Sequence, residues 1–209
     1  NLMPVTINGS GSISGLSVGG LGSGVVNNTS LADSTIETAK LTAAAQSSLK
    51  TLSFFNQWRL VSDANANFDG VLGGTNSGTT WEQVDTYGYS GLGGSMTESN
   101  GTFSFPSTGI YLIQGAFRIL TSGSDSTVNV ILNVTTNNSS YDHVAYSSGG
   151  NVGGSDINQT SVSAHIFDVT NTSTHKLQFK TNSMGTGSYP HGSSNTTQSW
   201  FTVLKLAET

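Results

Sequence analysis

Residues 103–117 read FSFPSTGIYLIQGAF. In an extended segment side chains alternate between faces, so Phe103 and Phe105 point the same way. Pro106 lacks the N–H that a sheet ladder needs and ends that strand. Gly109 permits a turn that a side chain would obstruct. A second, longer strand follows. Tyr111, Ile113, Gly115, Phe117 and Ile119 line one of its faces, and Ile110, Leu112, Gln114, Ala116 and Arg118 the other. Both faces are largely apolar as far as Ala116. The strand is therefore expected to be buried on both sides, or to lie in a sheet face that another subunit covers.

The same period of two recurs from Phe54 onward. Val128, Val130, Leu132 and Val134 share one face, with Asn129 and Asn133 on the other, and Val162, Ala164 and Ile166 alternate likewise. Strands are expected over 55–61, 80–86, 101–105, 109–120, 127–135, 141–147, 159–168, 175–181 and 198–206. Gly- and Asn-rich turns such as Asp69-Gly70, Gly93-Gly94, Asn137-Asn138 and Gly153-Gly154 separate them. Short strands bounded by turns argue for an all-β sandwich or barrel.

Residues 1–50 are different. Between Thr6 and Val26, single apolar residues (Ile7, Ile13, Leu16, Val18, Leu21, Val25) are spaced through glycine and serine with no aromatic residue. One such chain cannot bury enough surface to offset its ordering entropy. Such spaced apolar residues suit packing against identical chains better than they suit a pure linker. Farther on, Leu41, Ala45 and Leu49 recur at a spacing of four after the capping candidate Thr42. A helix this short is marginal alone and makes sense as a neck that associates with its own copies. The organisation expected is a stalk or attachment segment over 1–30, a short helical neck over 31–53 and a β-sandwich head over 54–209.

Composition narrows the function. The chain has 209 residues with a formal charge of -5, and only 9% are Asp, Glu, Lys or Arg. An ordinary soluble domain has roughly 25%. Hydroxyls and amides solvate the surface instead, as is common in extracellular and virion β-proteins. The absence of a Lys/Arg cluster argues against nucleic acid. No apolar run approaches the ~20 residues of a helical membrane span. With no cysteine, disulfides, thiolate catalysis and Cys-zinc sites are excluded together.

The stretch from Phe103 to Ile113 resembles the F-x-V-P-x-x-G-x-Y segment of the tumour-necrosis-factor/C1q-like jelly rolls. Ser199-Trp200-Phe201-Thr202-Val203-Leu204-Lys205-Leu206 is similar to their final strand, except that Thr202-Val203 replaces the usual small residue. The resemblance covers about residues 54–209. It implies a jelly-roll sandwich that trimerises through one face, with the corner tyrosine, Tyr111, near the three-fold axis. Leu41, Leu49, Phe103, Phe105, Tyr111, Phe117, Trp200 and Phe201 are the residues expected in the core or trimer contacts. Ala32 to Leu41, ADSTIETAKL, resembles linker segments of bacteriophage fibres.

Catalytic patterns are sparse. Asp63, Asn65, Asn67 and Asp69 begin like a calcium loop, but Phe68 and Gly74 stand where an EF-hand needs Gly and Glu. A polar turn is the favoured reading of this stretch. The four histidines, His143, His165, His175 and His191, lack metal spacing. No serine sits in a nucleophile elbow, and nothing pairs two carboxylates in a cleft. No enzyme activity and no cofactor are expected.

Tyr87, Tyr89, Tyr141, His143, Tyr146, Tyr189 and His191 sit among small polar residues, which suits sugar stacking or a protein contact. Packing inward or at the trimer seam is the competing reading. The function expected is a homotrimeric bacteriophage fibre or appendage on the virion surface. Its N-terminal segment would bind other virion proteins and its head a host-surface glycan or protein. A capsid decoration protein and a monomeric carbohydrate-binding module are the rival readings.

Overall fold

The computed structural model describes residues 52–209 except Ser90 and Thr186, together with two short strands near the N-terminus. Those strands, β1 (Thr6–Ile7) and β2 (Ile13–Ser14), pair antiparallel with Thr6 opposite Ser14 and Ile7 opposite Ile13. They belong to a compact unit, Asn1–Lys50, separate from the second, Thr51–Thr209. The expected helical neck, with Leu41 and Leu49, lies outside the described residues.

The second unit is all-β, and there is no helix among the described residues. Its first strands are β3 (Phe55–Leu60), β4 (Trp81–Gln83), β5 (Thr97–Ser99), β6 (Thr102–Ser104) and β7 (Gly109–Thr121). They are followed by β8 (Val128–Thr135), β9 (Asp142–Gly149), β10 (Ile157–Val169), β11 (Lys176–Asn182), β12 (Tyr189–Pro190) and β13 (Trp200–Ala207). They form two antiparallel sheets. One has the order β10-β7-β13-β3-β4, with β12 also on β7; the other has the order β5-β6-β11-β8-β9. Successive parts of the chain alternate between the sheets, which makes a jelly roll.

The two sheets bury their facing residues in one aromatic core. Trp81 sits in its middle, with ring centroids 5.8 Å from Phe103, 6.4 Å from Phe117, 5.8 Å from Phe179 and 5.1 Å from Phe201. The indole N–H donates to the Leu72 carbonyl at 2.8 Å, so the one polar atom of this buried ring is satisfied.

The corner works as its sequence suggests. Tyr111 is fully buried, and its hydroxyl donates to the Ser107 carbonyl at 3.0 Å, tying the turn to the strand after it. Gly109 has φ 147°. A Cβ there would come within 2.3 Å of Lys205 Cε and 2.7 Å of the Ala207 carbonyl oxygen. The glycine is required because β13 passes this close at its irregularity between Lys205 and Ala207.

Within one chain only one face of β7 is fully buried. Tyr111, Ile113, Phe117 and Ile119 are fully buried in the core. On the opposite face Ala116 is buried, Ile110 and Leu112 are half-buried, and Gln114 is exposed. A single copy of the chain leaves this face open.

Candidate functional site

The open face of β7 continues across its neighbours. In register, Ile166 of β10 lies opposite Leu112 of β7, Leu112 opposite Leu204 of β13, and Leu204 opposite Phe55 of β3. This is an apolar row crossing four strands. A parallel row runs from Val162 through Ala116 and Trp200 to Arg59. Between them lie Ala164, Gln114, Thr202 and Gln57, a more polar centre. Val162 is 56%, Ile166 59% and Leu206 51% exposed. Monomeric soluble proteins seldom leave so broad an apolar surface uncovered.

Of the expected core and trimer residues, those that the structure describes come from both sheets, and all but one enter the core. Phe103, Phe105, Tyr111, Phe117 and Phe201 are buried in the core of a single chain. Trp200 alone among them lies half-buried on the outer face. The resemblance implied Tyr111 near a three-fold axis. Within the single chain its ring packs edge-on to Phe54 at 5.8 Å and against Phe105 at 4.8 Å.

The loop aromatics do not form one site. Tyr87 is 88% exposed with φ 55°, at the tip of the segment after β4. Arg59, buried on the outer face, holds the base of that segment. Its Nε donates to Glu82 Oε1 at 2.7 Å, Nη2 to Asp85 Oδ1 at 3.0 Å and Nη1 to Thr86 Oγ1 at 2.8 Å. Tyr89 turns back: its ring lies 6.1 Å from Phe55, and its hydroxyl accepts the Gln57 N–H at 2.8 Å. Tyr189 belongs to β12 and meets His191 edge-on at 5.1 Å. The His191 ring is held between Asp63 Oδ1 at 3.1 Å and Asn158 Oδ1 at 2.7 Å.

Tyr141, His143 and Tyr146 lie at the other sheet. Tyr141 precedes β9. A bulge opposite Leu132 and Asn133 then breaks the alternation, so that His143 and Tyr146 share the outer face. His143 Nδ1 lies 3.2 Å from the Tyr146 hydroxyl.

The calcium-like side chains go to separate partners. Asp63 accepts the Gly192 N–H, and Asn65 donates to the Asn76 carbonyl. Asn67 accepts the Gly187 N–H, and Asp69 accepts those of Ser183 and Met184. The stretch is a polar clamp on the 183–192 segment. His165 faces the core side of β10, 6.3 Å from Phe167, and burial lowers its pKa from 6.5.

No family model matches the chain, and no curated protein matches it in sequence. Solved structures do match in shape. Murine APRIL at pH 8.0 superposes with a TM-score of 0.52 at 11% identity, covering 73% of this chain and 98% of that one. Eiger TNF from S. frugiperda also gives 0.52, at 16% identity, covering 76% of this chain and 96% of that one. The fold is a TNF-like jelly roll. The likeness reaches the architecture, two antiparallel sheets around one core, and at these identities no further.

Proposed function

We propose that the chain is a homotrimeric structural protein of a virion, a fibre or appendage whose C-terminal head adheres to the host surface. The observation that carries the trimer is the apolar row Ile166–Leu112–Leu204–Phe55 on the outer face of the β10-β7-β13-β3-β4 sheet. Full burial of an aliphatic side chain is worth about 1.5–3 kcal/mol, so covering Val162 and Ile166 supplies a substantial share of an interface. The TNF-like fold supports the same assembly, because the resemblance read from the corner implies trimers formed through one sheet face.

The virion role rests on sequence order: spaced apolar residues, the fibre-like ADSTIETAKL segment, then the jelly roll. In this reading the N-terminal segment holds other virion proteins and the heads face outward. Adhesion needs no catalytic residue, and three identical heads multiply a weak contact by avidity.

The test is cell binding. Labelled full chain is applied to a panel of bacterial cells alongside Ile166→Asp, which is designed to stay folded as a monomer. The account predicts that at least one host binds the wild-type chain strongly and the variant weakly. Equal binding by the two favours a monomeric carbohydrate-binding module. Binding to capsids with no cell binding favours a decoration protein.

A further inference from the structure

The sheet that carries the apolar rows has two unlike edges. β10 forms one, and its outer side chains Val162 and Ile166 are more than half exposed. β4 forms the other, and the segment after it carries Tyr87, at 88% the most exposed large apolar side chain among the described residues. The φ of 55° at Tyr87 is an uncommon conformation for a residue with a bulky side chain, and it persists only where the surroundings impose it. Here they do. Arg59 grips Glu82, Asp85 and Thr86 just before the tyrosine, and the Tyr89 hydroxyl on the Gln57 N–H fixes the chain just after it. The ring is held outward on a braced loop.

A closed three-fold ring cannot join like to like. Only a two-fold axis pairs a patch with itself, so each contact in a trimer joins two different surfaces of neighbouring copies. The exposed edge of β10 therefore needs a complement elsewhere on the chain. A pure rotation about an axis along the strands leaves height along the strands unchanged. Arg59, which anchors the Tyr87 loop, lies at the far end of the row that begins at Val162, so the loop and that part of β10 are level. Charge selects the same part of β10. Arg118, opposite Thr160 on the outer face, stands beside Val162, whereas Asp168 stands beside Ile166. Asp85, two residues before Tyr87 and 73% exposed, complements the arginine and repels the aspartate.

We infer that Tyr87 of one copy seats on Val162 of the next, so that the loop after β4 and the edge of β10 close the ring. The tyrosine supplies a large, rigid contact area at small cost in side-chain entropy. The inference rests on the trimer reading and names the contact between its copies.

The chain has no cysteine, so disulfide trapping tests the contact against a clean background. Within one chain β4 and β10 lie at opposite edges of the sheet, roughly 19 Å apart at about 4.8 Å per strand spacing. No disulfide spans that gap, so a link between positions 87 and 162 joins two copies. Full chain carrying both Tyr87→Cys and Val162→Cys is oxidised at micromolar concentration and run on a non-reducing gel. Covalent trimers are expected. Neither single variant can pass a covalent dimer, and Tyr87→Cys with Tyr146→Cys, on the other sheet, should give no trimer. Tyr87→Gly separates contact from support. Glycine takes this φ without strain, so the single chain should keep its stability. The trimer should nevertheless dissociate at a concentration at least about tenfold higher, as loss of an interface tyrosine does. A wild-type trimer that gives no 87–162 link, or that Tyr87→Gly leaves as tight as before, keeps the trimer and overturns this contact. A wild-type monomer overturns both.

Discussion

Ile166 lies directly across from Leu112 in the β10–β7 ladder, with both side chains on the outer face of the sheet. Ile166 is 59% exposed in the single chain, and Leu112 is half-buried. An aspartate at 166 leaves the core untouched but puts a charge on a surface expected to be dry in the assembly. Ile166→Asp should retain the β-sheet circular dichroism and the single-chain stability, within about 0.5 kcal/mol. It should dissociate the oligomer at micromolar concentration, because desolvating an unpaired carboxylate at the seam costs several kcal/mol. Sedimentation velocity reads the change.

Trp81 contacts aromatic residues from both sheets. Trp81→Ala should cost about 3–5 kcal/mol, the usual range for removing a large buried ring. Trp81→Phe should cost less. It keeps much of the ring packing and leaves the Leu72 carbonyl without its 2.8 Å donor, a loss of about 1–3 kcal/mol. Urea denaturation of both variants checks the order.

Gly109→Ala places a methyl group 2.3 Å from Lys205 Cε and 2.7 Å from the Ala207 carbonyl. The lysine tip can move, but the carbonyl belongs to the backbone. Together with the unfavourable φ, the change should cost about 1–3 kcal/mol. Hydrogen exchange should rise at the C-terminal end of β13 more than at β8.

The Arg59 carboxylate partners differ in exposure: Glu82 is 31% and Asp85 73% exposed. Asp85→Asn should change stability by less than about 1 kcal/mol, because water already screens that pair. Arg59→Leu should cost more, since it strips Glu82 and Thr86 of donors in a more buried setting. Amide exchange through residues 84–89 should accelerate in Arg59→Leu.

His165 links stability to pH. Burial lowers its folded pKa below 6.5, so the unfolded chain binds the proton more readily. Its contribution is fully present above pH 6.5. It declines as the pH falls from that value toward the folded pKa and then levels off. The urea midpoint of the wild type should fall through this window, and His165→Gln should flatten the fall. A slope unchanged by the substitution would remove His165 as its source.

Much of the head was legible because its signals are local. The alternation in β7 and β8 needs only neighbouring residues, and the Pro106–Gly109 corner is set by backbone chemistry. The strands β5 and β12 were missed. Three residues, Thr97–Ser99, and two, Tyr189–Pro190, carry no readable period. His143 and Tyr146 stand out as interaction residues by type, but not by their shared face, because the bulge at Val144 has no glycine to mark it. The Arg59 clamp was also invisible. Its partners Glu82 and Asp85 arrive from another strand and the segment after it, and only folding brings them to the guanidinium. The outer apolar row was half visible: the second face of β7 was read from sequence, but its continuation through Leu204 to Phe55 depends on strand order.

Native mass by light scattering tests the trimer most directly, measured on residues 1–209 and on the compact unit 51–209. The account predicts three chains in both, because the apolar row lies wholly within the head. A monomer in both would contradict it. Three chains only with the first fifty residues present would move assembly to the N-terminal segment and strip the outer sheet face of its role.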